Sequence, residues 1–328
     1  MTPVVELAQA LTLGDRRALA KAMTLVESTR AADRAAAREL LGLLGAERAD
    51  TLRVGVTGVP GAGKSTLIDA LGREAILAGR RVAVLAVDPS SRQSGGSVLG
   101  DKTRMSRLAA EPAAFVRPSP TLGALGGVAA RTRELISLCE AAGYDLTFVE
   151  TVGVGQSEEQ VATLVDCVLL VLLAGAGDEI SNLKRGVLEV ANVIAFNKAE
   201  GERAADVARD AAALRASLSV SHHERVPPVF VVSALHGAGV PELWHELSDV
   251  LAQAGSAAFR ERRARQRGQW FEAALDEAIR EALAQRPGAM LARQAAERSV
   301  REGISSPWEA AQRLLATLLP ALPASERE

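Results

Sequence analysis

The chain has 328 residues, of which 48% are hydrophobic, and its formal net charge at pH 7 is −2. This length and hydrophobic content are sufficient for a sizeable core, so we expect one large α/β domain with appended segments. The near balance of charge argues against a general nucleic-acid-binding protein, which would usually carry a strongly basic domain. The two cysteines, Cys139 and Cys167, have the spacing of neither a disulfide framework nor a zinc site.

The chain carries no recognisable targeting or membrane signal. Its first fifteen residues lack the basic start and the continuous apolar run of a signal peptide. No apolar stretch reaches the roughly 18 residues that a membrane-spanning helix requires. We therefore expect a soluble protein of the reducing cytoplasm.

Residues 1–50 are predicted to be helical. Asp15 is placed to cap a helix that carries Leu19, Met23 and Val26 on one face, and a second amphipathic stretch covers residues 31–44. We interpret this region as a helical extension packed on the main domain. A surface that docks a partner is the alternative interpretation.

A Walker A loop is the central feature of the sequence. Residues 58–65 match G-x-x-x-x-G-K-[ST], with a predicted buried strand before them and a helix from Ser65 onward. Backbone N–H groups of the loop and of the helix N-terminus can bind a chain of phosphate groups, and Lys64 adds a full positive charge. Ser65 is placed to bind Mg²⁺. The predicted nucleotide-binding residues here are Gly58, Val59, Pro60, Gly61, Ala62, Gly63, Lys64, Ser65 and Thr66.

Two acidic residues follow further predicted strands. Asp88 comes after residues 81–87 and is expected to point at the phosphates, because ligands lie beyond the carboxyl ends of strands in open α/β sheets. A capping or turn aspartate before proline is the alternative. Glu150 ends the strand 145–150 and can hold Mg²⁺ through water. The N–H of Gly153 can bond the γ-phosphate of the nucleotide, and loss of this bond after hydrolysis would release the loop, as in a switch.

Two later loops are typical of guanine recognition. Asn197-Lys198-Ala199-Glu200 follows a predicted strand and resembles the N-K-x-D motif, with glutamate in place of aspartate. In that motif the carboxylate accepts hydrogen bonds from guanine N1–H and the 2-amino group, which adenine cannot reproduce. After the predicted last strand, 228–232, comes a loop similar to the S-A-x loop that meets guanine O6, formed by Ser233, Ala234 and Leu235.

From residue 256 onward the sequence predicts a helical arm. Phe271, Leu275, Ile279 and Leu283 recur at four-residue spacing, and Ser306 begins a capping box after a break at 287–288. The apolar stripe must be buried, and a second copy of the chain is the expected place, which makes the protein a homodimer. Packing onto its own domain is the alternative. The predicted segments are 1–50, a P-loop domain over 51–255, and a dimerisation arm over 256–328.

Longer strings resemble the MeaB/ArgK family of P-loop GTPases, known in animals as the MMAA protein. The resemblance covers nearly the whole chain. It is carried by the segments 14–20, 24–28, 87–91, 95–105, 117–120, 150–157 and 175–179. It implies a P-loop NTPase of the SIMIBI type, with a mostly parallel central sheet, that hydrolyses GTP to GDP and phosphate.

The resemblance also implies roles for individual residues. Lys64 would neutralise the β- and γ-phosphates and Ser65 would bind Mg²⁺ directly. The residues that would order Mg²⁺ and the attacking water are Asp88, Asp101 and Glu150. The switch that reports the nucleotide state would contain Gly177, Asp178, Glu179, Lys184 and Arg185, although a solvated surface loop is an equal interpretation of that segment from its composition. Two features depart from the family pattern: Glu200, and Ser181-Asn182 in place of glutamine-glycine.

The resemblance implies a GTP-hydrolysing metallochaperone of adenosylcobalamin-dependent methylmalonyl-CoA mutase, or of a related acyl-CoA mutase. It would gate the loading, protection or reactivation of the cofactor, and the mutase rather than this chain would bind cobalamin. One alternative is an ATP-dependent kinase of a periplasmic lysine/arginine/ornithine-binding protein. The other is a nickel-insertion GTPase, which should carry clustered cysteines and histidines, whereas this chain has two isolated cysteines and four histidines.

Overall fold

A computed structural model describes residues 2–45, 48, 50–88, 105–120, 125–151, 161–175, 185–220, 226–253 and 256–319. For 87–88, 118–120, 125–130, 185–186 and 220 the description covers the backbone alone. The chain forms two compact units, Met1–Gln266 and Arg267–Glu328. The division into segments 1–50, 51–255 and 256–328 stays a prediction.

The first unit is built on a parallel sheet. Within the described residues its seven strands lie in the order β3-β2-β4-β1-β5-β6-β7, and each neighbouring pair is parallel. The strands are β1 (Leu52–Gly58), β2 (Val82–Asp88), β3 (Ala114–Pro120), β4 (Leu146–Thr151), β5 (Cys167–Leu172), β6 (Val193–Phe196) and β7 (Val229–Val231). The predicted α/β class with a central parallel sheet is confirmed.

The strand sequences explain this arrangement. Every residue of β1, β4 and β5 is buried, as expected where helices cover both faces of a parallel sheet. Pro118 and Pro120 lie in β3, which is an edge strand of the sheet. Proline has no backbone N–H to donate, and an edge strand tolerates it because only one side of the strand is paired.

Helices connect the strands and form the second unit. They are α1 (Pro3–Thr12), α2 (Arg16–Glu27), α3 (Ala31–Leu43), α4 (Lys64–Leu77), α5 (Ser106–Ala110), α6 (Leu125–Ala141), α7 (Arg185–Val190), α8 (Ala204–Val220), α9 (Val240–Ala252), α10 (Ala257–Ala284), α11 (Ala289–Arg301) and α12 (Pro307–Leu318). In the part of the chain that the structure describes, no helix is long and apolar enough to cross a membrane.

Predicted helix ends are largely confirmed. The Asp15 carboxylate accepts from the backbone N–H of Arg17 at 2.7 Å and caps α2, and the Ser306 hydroxyl accepts from Glu309 N–H at 3.2 Å and caps α12. Residues 125–127 form the first turn of α6, although two of them, Gly126 and Gly127, are glycines. Glycine lowers intrinsic helix propensity, so these two residues do not favour a helix start locally.

The core places the Walker A loop at the middle of the sheet. Val54 and Val56 of β1 belong to a buried cluster with Leu67 and Leu71 of α4 and with Leu243 of α9. Because β1 lies between β4 and β5, the loop that follows it emerges at the centre of the carboxyl edge. This position is where open α/β sheets bind ligands.

Candidate nucleotide-binding site

The Walker A loop depends on glycine at two positions. Gly58 has a φ of 140°, and a Cβ atom there would lie 2.0 Å from the carbonyl oxygen of Val171 in β5. Gly63 has a φ of 85°, and its Cβ would lie 2.5 Å from the Nδ2 atom of Asn197. Both backbone conformations favour glycine, and both close approaches exclude a side chain. The loop therefore brings its backbone against two neighbouring strand ends.

The first turn of α4 presents the predicted phosphate-binding side chains. Lys64 is buried and its Nζ donates to the carbonyl oxygens of Gly58 at 2.8 Å and Val59 at 3.2 Å. The ammonium group is thus held inside the curve of the loop, where it adds to the partial positive charge of the helix N-terminus. The arrangement can bind a chain of phosphate groups.

A hydroxyl and a carboxylate meet beside that turn. The Ser65 hydroxyl donates to Oε1 of Glu150 at 2.7 Å, and both residues are buried. The register of the sheet explains the contact, because Glu150 in β4 pairs with Val56 in β1, two residues before the Walker A loop. Hydroxyl and carboxylate oxygens are the ligands that Mg²⁺ takes together with substrate phosphates, so the donor set fits this ion.

Asn197 connects the phosphate loop to the two loops predicted to bind the base. Its Nδ2 donates to the carbonyl oxygen of Ala62 at 2.8 Å, and its Oδ1 accepts from the N–H of Ala234 at 3.0 Å. The N–H of Ala199 donates to the carbonyl oxygen of Val232 at 3.1 Å, which aligns the two base loops side by side. Asparagine is suited to this place because its amide donates and accepts at once.

Two neighbours of Asn197 have unusual conformations or surroundings. Lys198 has a φ of 63°, the only positive φ of a non-glycine residue among those the structure describes. Such strain persists only where surrounding structure requires it, and it is enriched at functional sites. The Oε2 atom of Glu200 is buried and has no hydrogen-bond partner within the described part of the chain. A buried carboxylate oxygen of this kind is an acceptor available to a ligand.

The predicted site residues thus fall into groups. Lys64, Ser65 and Glu150 come together at the first turn of α4, and Asn197 joins the Walker A loop to Ser233-Ala234-Leu235. The backbone of Asp88 ends β2, while its side chain is outside the described residues. The predictions that fall outside the described residues altogether are Asp101, Gly153, Gly177, Asp178, Glu179 and Lys184. Arg185 begins α7, and only its backbone is described.

Fold and site together define a P-loop nucleotide-binding protein. The family model described as methylmalonyl-CoA mutase-associated GTPase MeaB matches residues 19–287. The chain therefore belongs to the MeaB family, as predicted, and it is a P-loop nucleotide hydrolase of that family.

Relatives and a solved structure agree with this assignment. The chain is 47% identical over 315 residues to a probable GTPase of Mycobacterium tuberculosis, covering 94% of this chain and 93% of the relative. It is 40% identical over 319 residues to the mitochondrial methylmalonic aciduria type A homolog of Mus musculus, covering 93% of this chain and 77% of the relative. A crystal structure described as a LAO/AO transport system kinase superposes with a TM-score of 0.71 at 36% identity, covering 96% of this chain and 97% of that one.

Proposed function

We propose that the protein is a GTP-hydrolysing metallochaperone that gates adenosylcobalamin loading, protection or reactivation of methylmalonyl-CoA mutase or a related acyl-CoA mutase. The family match supports the mutase partner, because its description names association with that enzyme. The mouse relative supports it too, since its name refers to methylmalonic aciduria. Cobalamin belongs to the mutase in this proposal, and the chain acts in the cytoplasm.

The hydrogen-bonded bridge through Asn197 is the observation that carries the GTPase assignment. It connects the Walker A loop at Ala62 with the loop at Ala234. This contact supports a single assembly of the proposed phosphate and base subsites. Glu200 follows Asn197 by three residues and has a buried Oε2 without a hydrogen-bond partner in the described chain. Guanine offers two adjacent donors, N1–H and the 2-amino group, that suit such a carboxylate. Adenine offers no equivalent pair.

Hydrolysis in this proposal relies on positioning and charge neutralisation. Lys64 transfers its hydrogen bonds from the loop carbonyls to the β- and γ-phosphates when GTP binds, which offsets charge that develops in the transition state. Glu150, held near the Walker A loop by β4, orients the attacking water with Asp88 and Asp101. No covalent intermediate with the protein is needed.

The ion expected at this site is Mg²⁺. Ser65 would bind it directly, and Glu150, Asp88 and Asp101 would complete its surroundings. When bound, the ion would supply positive charge that offsets the negative charge of the phosphate groups. The chain itself contributes the Ser65 hydroxyl, in the first turn of α4, and the Glu150 carboxylate, near the end of β4. Their oxygen atoms lie 2.7 Å apart.

Neither alternative function is favoured by a described feature. The kinase alternative requires ATP as donor, whereas the Asn197 and Ser233 loops resemble loops that select guanine. The nickel alternative requires clustered soft ligands, and the described residues contain no group of three or more His, Cys, Asp or Glu side chains that could hold a metal ion.

Reconstitution with purified methylmalonyl-CoA mutase tests the proposal. We expect GTP, but not a non-hydrolysable analogue, to change the rate at which apo-mutase takes up adenosylcobalamin, measured from the absorbance of the bound cofactor. We also expect the mutase to change the GTPase rate. Lys64→Ala should remove the nucleotide dependence because it deletes the buried ammonium group.

The matched control is Lys21→Ala, which removes an exposed lysine of α2 outside the site. It should behave as wild type. GTP hydrolysis that neither responds to the mutase nor affects cofactor uptake would contradict the chaperone assignment while leaving the GTPase intact.

A further inference from the structure

A cavity of about 390 Å³ lies against Asn197 and Lys198, the first two residues of the proposed base motif. The rest of its lining comes from the chain just after β5, from Arg203 and from the first turns of α8. Half of its ten lining residues are charged, whereas pockets that bury small ligands are mostly apolar. Arg203, Asp206 and Arg209 are exposed, so a group carried by another protein can reach the cavity.

Three of the five charged groups in the cavity already have partners. Arg209 forms an exposed ion pair with Asp206. The Oδ2 atom of Asp210 accepts a hydrogen bond from the backbone N–H of Gly175 at 2.7 Å. These groups satisfy one another within the lining, so they leave little unbalanced charge.

Two positive charges of the cavity remain unmatched. Lys198 and Arg203 have neither a hydrogen bond nor an ion pair with any residue that the structure describes. A carboxylate is the complementary group, because hydrogen bonds between charged partners are shorter and stronger than those between neutral ones. On the surface of another protein, aspartate and glutamate side chains supply this group.

One wall of the cavity also contacts the Walker A loop. Asn197 donates to the carbonyl oxygen of Ala62 at 2.8 Å. A Cβ atom built on Gly63 would lie 3.9 Å from the Cε atom of Lys198, so the Lys198 side chain lies beside the loop. A group that binds Lys198 from the cavity therefore acts on a residue that contacts the Walker A loop directly. Such a contact can couple two binding events.

We propose that this cavity receives an acidic side chain of a partner protein, whose carboxylate binds Arg203 and Lys198 and thereby couples the partner to the nucleotide. The inference rests on the proposed function and names the chemistry by which this surface recognises the mutase. Arg203 lies outside the motifs of the nucleotide site. A change at Arg203 therefore tests the docking surface separately from nucleotide binding.

The test measures the dissociation constant between the purified mutase and variants of this protein by isothermal titration, with a non-hydrolysable GTP analogue bound. Arg203→Glu should raise it about tenfold or more, because the new negative charge would face the partner's carboxylate. Arg203→Lys should stay within about threefold of wild type, since it keeps the positive charge. The affinity for the GTP analogue without the mutase should match wild type in both variants.

Arg73→Glu is the matched control. Arg73 is an exposed arginine of α4 that has no partner within the described chain and does not line the cavity. Both glutamate variants change the net charge by the same amount, so a general electrostatic effect would weaken the complex in both. Arg73→Glu should bind the mutase as wild type does. Equal weakening in the two variants would overturn the assignment to the cavity.

Coupling to the nucleotide has its own readout. Saturating mutase should change the dissociation constant of wild type for GDP, and the change should be smaller in Arg203→Glu, because binding free energies are linked reciprocally. An equal change in both proteins would overturn the coupling through this cavity.

Succinate is the probe for the other source of a carboxylate, a free small molecule. We expect no saturable binding of succinate to wild type and no competition with the mutase. Succinate binding that Arg203→Glu abolishes, together with normal binding of the mutase to that variant, would assign the cavity to a small ligand and overturn the proposal.

The outcomes also separate the two proposals. A mutase that binds Arg203→Glu as tightly as wild type would overturn this docking surface alone and leave the proposed function in place. A mutase that does not bind wild type in any nucleotide state would overturn the proposed function, and this assignment with it.

Discussion

The side chain of Asn197 joins two separate loops by hydrogen bonds. Its amide donates to Ala62 in the Walker A loop and accepts from Ala234 in the second base loop, and it is buried. Gly63 has to be glycine because a Cβ would collide with this amide. The residue therefore joins the Walker A loop to the loop that we propose binds the base, and this connection exists without a nucleotide, which is a form of preorganisation.

Glu200 should determine the preference for GTP over ATP. Its buried Oε2 suits guanine, and Glu200→Gln replaces one acceptor with a donor that would face the donors of the base. We expect wild type to prefer a GTP analogue over the ATP analogue by tenfold or more, which is about 1.4 kcal/mol, and Glu200→Gln to lose that preference. Isothermal titration with Mg²⁺ measures both affinities.

Two further variants complete that titration. Glu202→Gln changes an exposed carboxylate two residues away and should leave the preference intact. Glu200→Asp keeps both acceptor oxygens on the shorter stem that is usual in the N-K-x-D motif, so it should still favour GTP. Equal or tighter binding of the ATP analogue to wild type would contradict the proposed selectivity for guanine.

At the scale of elements, α10 is anchored by a buried charge. Arg263 donates to both carboxylate oxygens of Asp166, at 2.9 and 2.7 Å, and to the carbonyl oxygen of Thr51 at 2.9 Å. Asp166 precedes β5 and also accepts from the backbone N–H of Arg53 at 2.9 Å. Gln266 donates to the carbonyl oxygen of Val165 at 2.7 Å. The first turns of α10 therefore belong to the unit that contains the sheet.

Arg263→Leu should destabilise this unit strongly. The change leaves the Asp166 carboxylate buried without its charge partner, and breaking a buried ion pair in this way costs about 3–5 kcal/mol. Urea unfolding followed by circular dichroism measures the free energy of unfolding. Arg265→Leu is the control on the same helix, because Arg265 forms an exposed pair with Glu261 that contributes less than about 1 kcal/mol. Similar losses in both variants would contradict the role given to the buried pair.

At the scale of the whole molecule, the second unit exposes an apolar stripe. Phe271, Leu275 and Ile279 of α10 are 63%, 41% and 48% exposed in the chain by itself. Side chains at four-residue spacing share one face of a helix. We propose that a second copy of the chain covers this face and forms a homodimer, since two-fold dimers are the commonest oligomers.

Replacing the stripe should dissociate the dimer. We expect wild type to sediment as a dimer and Leu275→Gln/Ile279→Gln to sediment as a monomer, because the double change removes apolar area that association would bury. Leu13→Gln alters an isolated exposed leucine that is 88% exposed on the first unit, and it should remain dimeric. A wild-type monomer in sedimentation equilibrium, or a dimeric double variant, would refute this arrangement.

The strands and most motifs could be predicted because their signals are local. The buried strands are short segments rich in apolar residues, and the Walker A loop specifies its own backbone through glycines at set spacing. The start of α6 is harder to predict, because Gly126 and Gly127 lower helix propensity and yet lie in its first turn. No sequence pattern indicated the role of Asp69, whose Oδ1 accepts a hydrogen bond from the N–H of Leu108. An aspartate in a helix has the same local sequence whether it faces solvent or caps another helix.

By itself the sequence determined the fold class, the Walker A loop and the two loops proposed to bind the base, because each is encoded by residues that are near one another in the chain. Only the tertiary structure decided which of these residues meet. The bonds from Asn197 to Ala62, from Asp69 to Leu108 and from Arg263 to Asp166 join residues far apart in sequence. They depend on the order of the strands and on how the helices pack against the sheet, and both are properties of the whole unit rather than of any local pattern.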